Sequence, residues 1–93
     1  MPLPRTHRVR LAGRVWRWVY TRLRGSADGW QHDTNNRVLI HDRLAPQRRL
    51  EVELHEALHC LYPDLSEESV TDGARDLRRL LWMLGYRREE KAD

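Results

Sequence analysis

Pro46, Pro63 and Gly85 cut the second half of this 93-residue chain into two segments that each carry a helical repeat. Proline suits the first turn of a helix, the residue before a proline avoids helical geometry, and a glycine past the last turn terminates a helix. From Gln47, the residues Leu50, Leu54, Ala57, Leu58 and Leu61 recur at helical spacing. From about Ser66 to Leu84, Val70, Ala74, Leu77, Leu81 and Leu84 do the same and predict a second buried stripe. The link around Pro63 is so short that the second helix must fold straight back on the first.

Upstream the pattern changes period. RVWRWVYTRL (14–23) is rich in strand formers, and its alternation sends Trp16, Trp18 and Tyr20 to one side and Val15, Arg17, Val19 and Thr21 to the other. RVLIHD (37–42) is a second, shorter strand, with Val38 and Ile40 opposite Leu39 and His41. Between them GSADGWQHDTNN (25–36) is dense in turn formers and reads as a loop or irregular hairpin. Residues 1–13 read as a flexible basic arm and residues 87–93, RREEKAD, as a fraying charged tail. The expectation is a single α+β domain over 14–86, in which a small antiparallel sheet hides its apolar side against two helices.

At 40% hydrophobic and 33% charged residues, the chain suits a globular domain with a modest core. A domain this small is near the lower limit of stability, so a bound metal would help to hold it. Cys60 is the only cysteine, which rules out an internal disulfide. No stretch is long and apolar enough for a transmembrane helix, and MPLPRTHRVR has no apolar run like a secretory signal. The cytoplasm is the expected location.

Inside the first predicted helix stands His55-Glu56-Ala57-Leu58-His59. Residues four apart on a helix lie one above the other, so both imidazoles can reach one zinc ion at about 2.0–2.1 Å. Glu56 is rotated about 100° from His55, away from the same coordination sphere but within reach of a water held there. With this composition, the three fixed positions would arise in roughly 2% of shuffled chains, so the amphipathic helix around them, with Leu54, Leu58 and Leu61 expected on the core, is what gives the match weight.

A catalytic zinc needs a third protein ligand. Tyr62 and Leu65 stand where the long metzincin pattern needs Gly and His, which excludes that class. PDLSEESVTDGARDL offers Asp64, Glu67, Glu68, Asp72 and Asp76. Helical phase favours Glu67, one turn before Val70 on the stripe facing the first helix. Glu68 is the reserve, on a face shared with Asp72, Arg75 and Arg79. A purely structural role for Glu67 is the competing account, since Asp64-Leu65-Ser66-Glu67 has the form of a capping box. Cys60 points about 100° away from its neighbour His59 and reads as a small buried hydrophobe.

This arrangement resembles compact zinc metallopeptidases of the gluzincin type. Glu67, Val70 and Ala74 are similar to the E-x-x-A-x-x-x-A helix that follows the active-site helix in ImmA/IrrE-type metallopeptidases. The resemblance spans roughly residues 37–84, and it departs in having only seven residues between His59 and Glu67, fewer than most gluzincins. It implies a minimal zincin-like fold and peptide-bond hydrolysis, with Zn2+ held by His55, His59 and Glu67 and Glu56 as general base. His41, Tyr62 and Tyr86 are candidates to steady the oxyanion, and by analogy the strand Arg37–Asp42 would pair with an extended substrate. So few walls leave little room for a deep specificity pocket, so a monomer acting on one partner protein, or weakly on many peptides, is expected. Such a compact metallopeptidase core would suit a phage or mobile element.

Two rivals stand beside it. A zinc-stabilised protein-interaction module without turnover needs the same ligands and no base. A nucleic-acid-binding regulator would use the basic third of the chain, where seven arginines from Arg5 to Arg24 interleave with Trp16 and Trp18. The plainer account is that the aromatics cover the sheet while the arginines are solvated. A net charge of +3, with 16 of 17 basic residues being Arg, permits an acidic partner without naming one.

Overall fold

A computed structural model describes residues 5–25, 28–32 and 35–88; the outer parts of the expected arm and tail, 1–4 and 89–93, lie outside the described residues. The fold is α+β, with four strands, β1 (Thr6–Leu11), β2 (Arg14–Thr21), β3 (Gly29–His32) and β4 (Arg37–His41), followed by α1 (Pro46–Leu61) and α2 (Glu67–Met83).

Two of these strands differ from expectation. Residues 6–11, read as part of an arm, form β1 and pair antiparallel with β2, Leu11 opposite Arg14 and Val9 opposite Trp16. The cause is a period of two: Val9 and Leu11 turn towards the core while Arg8 and Arg10 turn out. The turn uses Ala12 at φ 54° and Gly13 at φ 73°, both left-handed as a two-residue hairpin of this kind requires. Ala12 bears a cost of about 1–2 kcal/mol for that conformation, which the paired strands offset.

The turn-rich stretch after β2 hides the second strand. The order across the sheet is β1-β2-β4-β3, with β3 antiparallel to β4 and β2 parallel to β4. The sheet is therefore mixed rather than antiparallel. Two chain reversals, not one, separate β2 from β4, and an even number of reversals returns a strand in its original direction. β4 sits inside the sheet and β3 forms its edge.

α1 lies across one face. Trp16, Trp18, Val38 and Ile40 from the sheet close on Val52 and Cys60 from the helix, with Trp16, Val38 and Ile40 wholly buried. The indole nitrogens find acceptors, Trp16 on the Leu11 carbonyl at 3.2 Å and Trp18 on the Tyr20 hydroxyl at 3.0 Å. The sheet-facing row of α1 is thus Val52, Glu56 and Cys60, one residue per turn. The Leu54-Leu58-Leu61 row expected to face the core turns elsewhere: Leu58 meets Gly73 of α2, and Leu61 is exposed.

α2 touches only α1. Ser66 caps it by accepting from the Ser69 amide at 3.1 Å, so Asp64 is not the cap and Glu67 opens the first turn. Val70 and Ala74 are fully buried, but Leu77 and Leu84 are exposed, because a helix with one neighbour can hide only a narrow stripe. Midway along α1, Glu53 accepts hydrogen bonds from both the Tyr20 hydroxyl and the Arg88 guanidinium. Arg87 stacks on Trp82 at 4.0 Å. Residues 87 and 88, expected to fray, are held by these contacts.

Candidate metal centre

His55 and His59 stand one turn apart on the side of α1 that meets the start of α2. Their Nε2 atoms are 3.2 Å apart and their ring centroids 4.9 Å. The short link through Pro63 brings the first residue of α2 opposite them. Glu67 Oε1 lies 2.8 Å from His55 Nε2, and Oε2 lies 2.9 Å from His59 Nε2. One carboxylate thus spans both rings.

Those three separations bear on what the cluster can hold. Ligands at 2.0–2.1 Å around a tetrahedral zinc stand about 3.3 Å from one another. The Nε2–Nε2 separation of 3.2 Å is close to that spacing, while the 2.8 and 2.9 Å contacts run to the two different oxygens of Glu67, so the carboxylate must turn to present one oxygen to an ion shared by both rings. The donor set, two imidazoles and a carboxylate, suits zinc and leaves a fourth position open. The site lies at the surface, with both imidazoles 23% and Glu67 68% exposed, so a ligand can enter without unfolding. Glu68 is exposed and is not among the residues whose donor atoms converge, which are His55, His59 and Glu67.

Glu56 is placed differently. It points towards the sheet, and at 7% exposure it is the one charged side chain buried among the described residues. Burial, and after it the charge of Glu67, pushes its carboxyl up to about 7. The group lies under the first residue of β3: a Cβ built on Gly29 would come within 3.0 Å of Glu56 Oε2 and 2.6 Å of Val52 Cγ1. Glycine is therefore what lets the edge strand come down onto the helix at this point. Beside it opens a cleft of about 160 Å3, lined by His55 and Glu56 with Asp28, Gly29, Arg48, Glu51 and Val52. Arg48 holds the rim through Asp28 at 2.9 Å and Glu51 at 3.1 Å.

Asp28, Gly29 and Arg48 had no role in the sequence reading, because Asp28-Gly29 carries the signature of a turn and nothing local tells that the glycine starts a strand. The strand Arg37–Asp42, proposed by analogy as the substrate's partner, is interior as β4 (Arg37–His41) and has no free edge; the edge next to the cleft belongs to β3. Of the oxyanion candidates, Tyr62 sits at the C-cap of α1, beyond His59, and is exposed. His41 accepts from the Arg43 amide at 3.2 Å, at the end of β4. Tyr86 lines a groove with Pro46 and Arg49 at the opposite end of α1, away from the histidines. Cys60 is buried in the core, as its position on the helix suggested.

No helix among the described residues is long and apolar enough to cross a membrane. Compared with protein families, with characterised proteins and with solved structures, the chain matches none.

Proposed function

We propose that the protein is a zinc-dependent peptide hydrolase in which His55, His59 and Glu67 hold the metal and Glu56 manages the proton. The observation that carries this reading is the convergence of two imidazole Nε2 atoms on one carboxylate, from two helices, with a separate buried carboxylate one residue along from a ligand. Bound zinc supplies a Lewis acid and brings the pKa of a water towards 7.

The chain's own residues supply the rest. Glu67 pairs with both Nε2 atoms and so fixes which nitrogen of each ring faces the site. Glu56 is held by packing against Val52 and Gly29, and its carboxylate faces the cleft that His55 also lines. From there it takes a proton from water as attack on the carbonyl begins and passes it to the leaving amine. The free edge of β3, which descends to Gly29 beside Glu56, offers backbone groups to an extended peptide in the way an added strand would use them. The exposed rings and the small cleft suit a substrate lying across the surface rather than in a deep pocket.

Glu56→Gln tests the reading. Zinc content by elemental analysis should match the parent protein, while cleavage of a fluorescein-labelled unfolded protein should fall by about 10²-fold or more. A variant that keeps its zinc and cleaves at the parental rate removes Glu56 as the base. A parent protein that binds zinc and cleaves nothing favours the interaction module, which needs His55, His59 and Glu67 alone.

A further inference from the structure

α1 packs on one face of the sheet and α2 packs on α1; among the described residues no helix or strand covers the other face. Its charge is one-signed. Arg8 of β1 stands directly opposite Arg17 of β2, and Arg17 stands directly opposite Arg37 of β4. Three arginines thus form one rung across three adjacent strands, about 4.8 Å apart. Arg10 follows on the same face of β1, opposite Val15. None of the four strands contains an aspartate or a glutamate. Residues 5–37 hold eight arginines against two aspartates, a net of +6, whereas the chain as a whole carries +3.

Like charges directly opposite each other destabilise a sheet. The arginines elsewhere show how this protein treats such charges when it neutralises them: Arg48, Arg75, Arg78 and Arg88 all pair with carboxylates. Among the described residues no carboxylate pairs with Arg8, Arg17 or Arg37, and Arg37 Nε is buried without a hydrogen-bond partner. An array that costs stability in the free protein gains when an array of negative charge lies over it.

We infer that this sheet face binds the phosphate backbone of a nucleic acid, without regard to base sequence. The planar guanidinium fork matches a phosphate better than an ammonium does, and a periodic row of them matches a periodic polyanion. On the same face β2 and β4 add Val15, Val19 and Leu39, whose side chains are shorter than an arginine's, and β3 adds Trp30 at the register position opposite Leu39 on the sheet's edge. One tryptophan position at the edge is not the row of large apolar groups that a membrane-surface element requires. The contacts are therefore to phosphate, and they position without specifying. This surface is built from β1, β2 and β4 and uses none of the metal-site residues.

The test is fluorescence anisotropy of the full chain, with chelator present, against labelled duplex DNA, labelled single-stranded RNA of mixed sequence, and phosphatidylserine vesicles. Four phosphate contacts give a salt slope of about −3.6 on duplex DNA, roughly a 150-fold loss of affinity from 50 to 200 mM salt. Arg8→Gln with Arg17→Gln should halve that slope to about −1.8 without lowering the melting temperature, since it relieves like-charge contacts. Arg10→Gln with Arg37→Gln should do the same, which guards against one pair failing to fold. Arg75→Gln with Arg79→Gln removes equal charge from α2 and should leave the slope unchanged. The tighter of the DNA and RNA arms identifies the source of the phosphates. No binding to either at 50 mM salt, an equal effect of the α2 pair, or binding to vesicles alone would overturn the inference.

Discussion

Replacing Gly29 by alanine measures how tightly β3 rests on α1. The added methyl would sit 2.6 Å from Val52 Cγ1, 3.0 Å from Glu56 Oε2 and 3.2 Å from Glu56 Cγ. Carbon atoms settle at about 3.5–4.0 Å, so the closest contact must open by roughly 1 Å. Val52 cannot give way by rotating: it is 4% exposed, and a β-branched side chain in a helix has one strongly preferred rotamer. The strand must lift instead. Overpacking of this kind costs about 1–3 kcal/mol, while the loss of glycine's freedom in the unfolded chain returns about 0.4–1 kcal/mol. The net is a loss of about 1–2 kcal/mol, or roughly 5–15 °C in Tm for a domain of this size.

Gly73→Ala supplies the opposite sign. Gly73 lies within α2, and a Cβ there would meet only Leu58 Cδ1 at 3.4 Å, near ordinary contact. Helix propensity should then raise stability by about 0.5–1 kcal/mol. Thermal unfolding of both variants, followed by circular dichroism with chelator in excess, compares them without a metal contribution. If Gly29→Ala melts at or above the parent temperature, the close approach of β3 to Glu56 is wrong, and with it the walls of the cleft. Adding Val52→Ala to Gly29→Ala should recover part of the loss, because the methyl then has somewhere to go.

Zinc at a hundredfold excess over its Kd should stabilise the folded chain by about 2.7 kcal/mol, reversibly with chelator; scanning calorimetry that detects no shift would remove the metal. In competition with a chromophoric chelator, Glu67→Gln should weaken zinc by more than the roughly 10–100-fold that loss of an outer-shell partner costs, and Glu68→Gln should leave it unchanged. Alkali offers an independent check on the contact between Tyr20 and Glu53, midway along α1. Burial, and next the hydrogen bond to Glu53, pushes the Tyr20 hydroxyl up to about 12. The folded state therefore holds this proton more tightly than the unfolded chain does, so the contribution is complete below about pH 10 and is lost as pH rises towards 12. Tyr20→Phe should flatten that part of the stability curve, measured by urea unfolding at fixed metal-free conditions.

Where the sequence spoke plainly, it did so through a residue period sustained along a whole element. The spacing from Pro46 to Pro63 and on to Gly85 fixed both helices to within a residue or two of Pro46–Leu61 and Glu67–Met83. The alternation of Trp16, Trp18 and Tyr20 marked the buried face of β2. β1 was visible in the same terms, as Val9 and Leu11 between arginines, but its turn carries Ala12 where a hairpin signal would carry asparagine or aspartate. β3 was hidden for a different reason. Four residues flanked by turn formers on both sides have too little pattern to separate a strand from a loop, and what makes Gly29–His32 a strand is pairing to β4, a contact no local window contains. The parallel relation of β2 and β4 was lost with it.

The candidate site divides along the same line. His55 and His59 are related by one turn of one helix, so their spacing alone brings them together; Glu67 follows because a link of so few residues leaves α2 nowhere else to start. Glu56 needed more than spacing. The helix repeat turns it away from the two imidazoles, but only the packed sheet decides that it is buried, that its carboxyl is held near neutrality in pKa, and that a glycine from another strand lies against it. In an exposed position the same glutamate would be an ordinary surface acid. The chemistry proposed for it depends on β3, the strand least legible in the sequence. For that reason the stability and the cleavage activity of Gly29→Ala should fall together: a variant that lifts β3 exposes Glu56 to water, returns its carboxyl towards the usual carboxylate range, and weakens the base without touching a metal ligand.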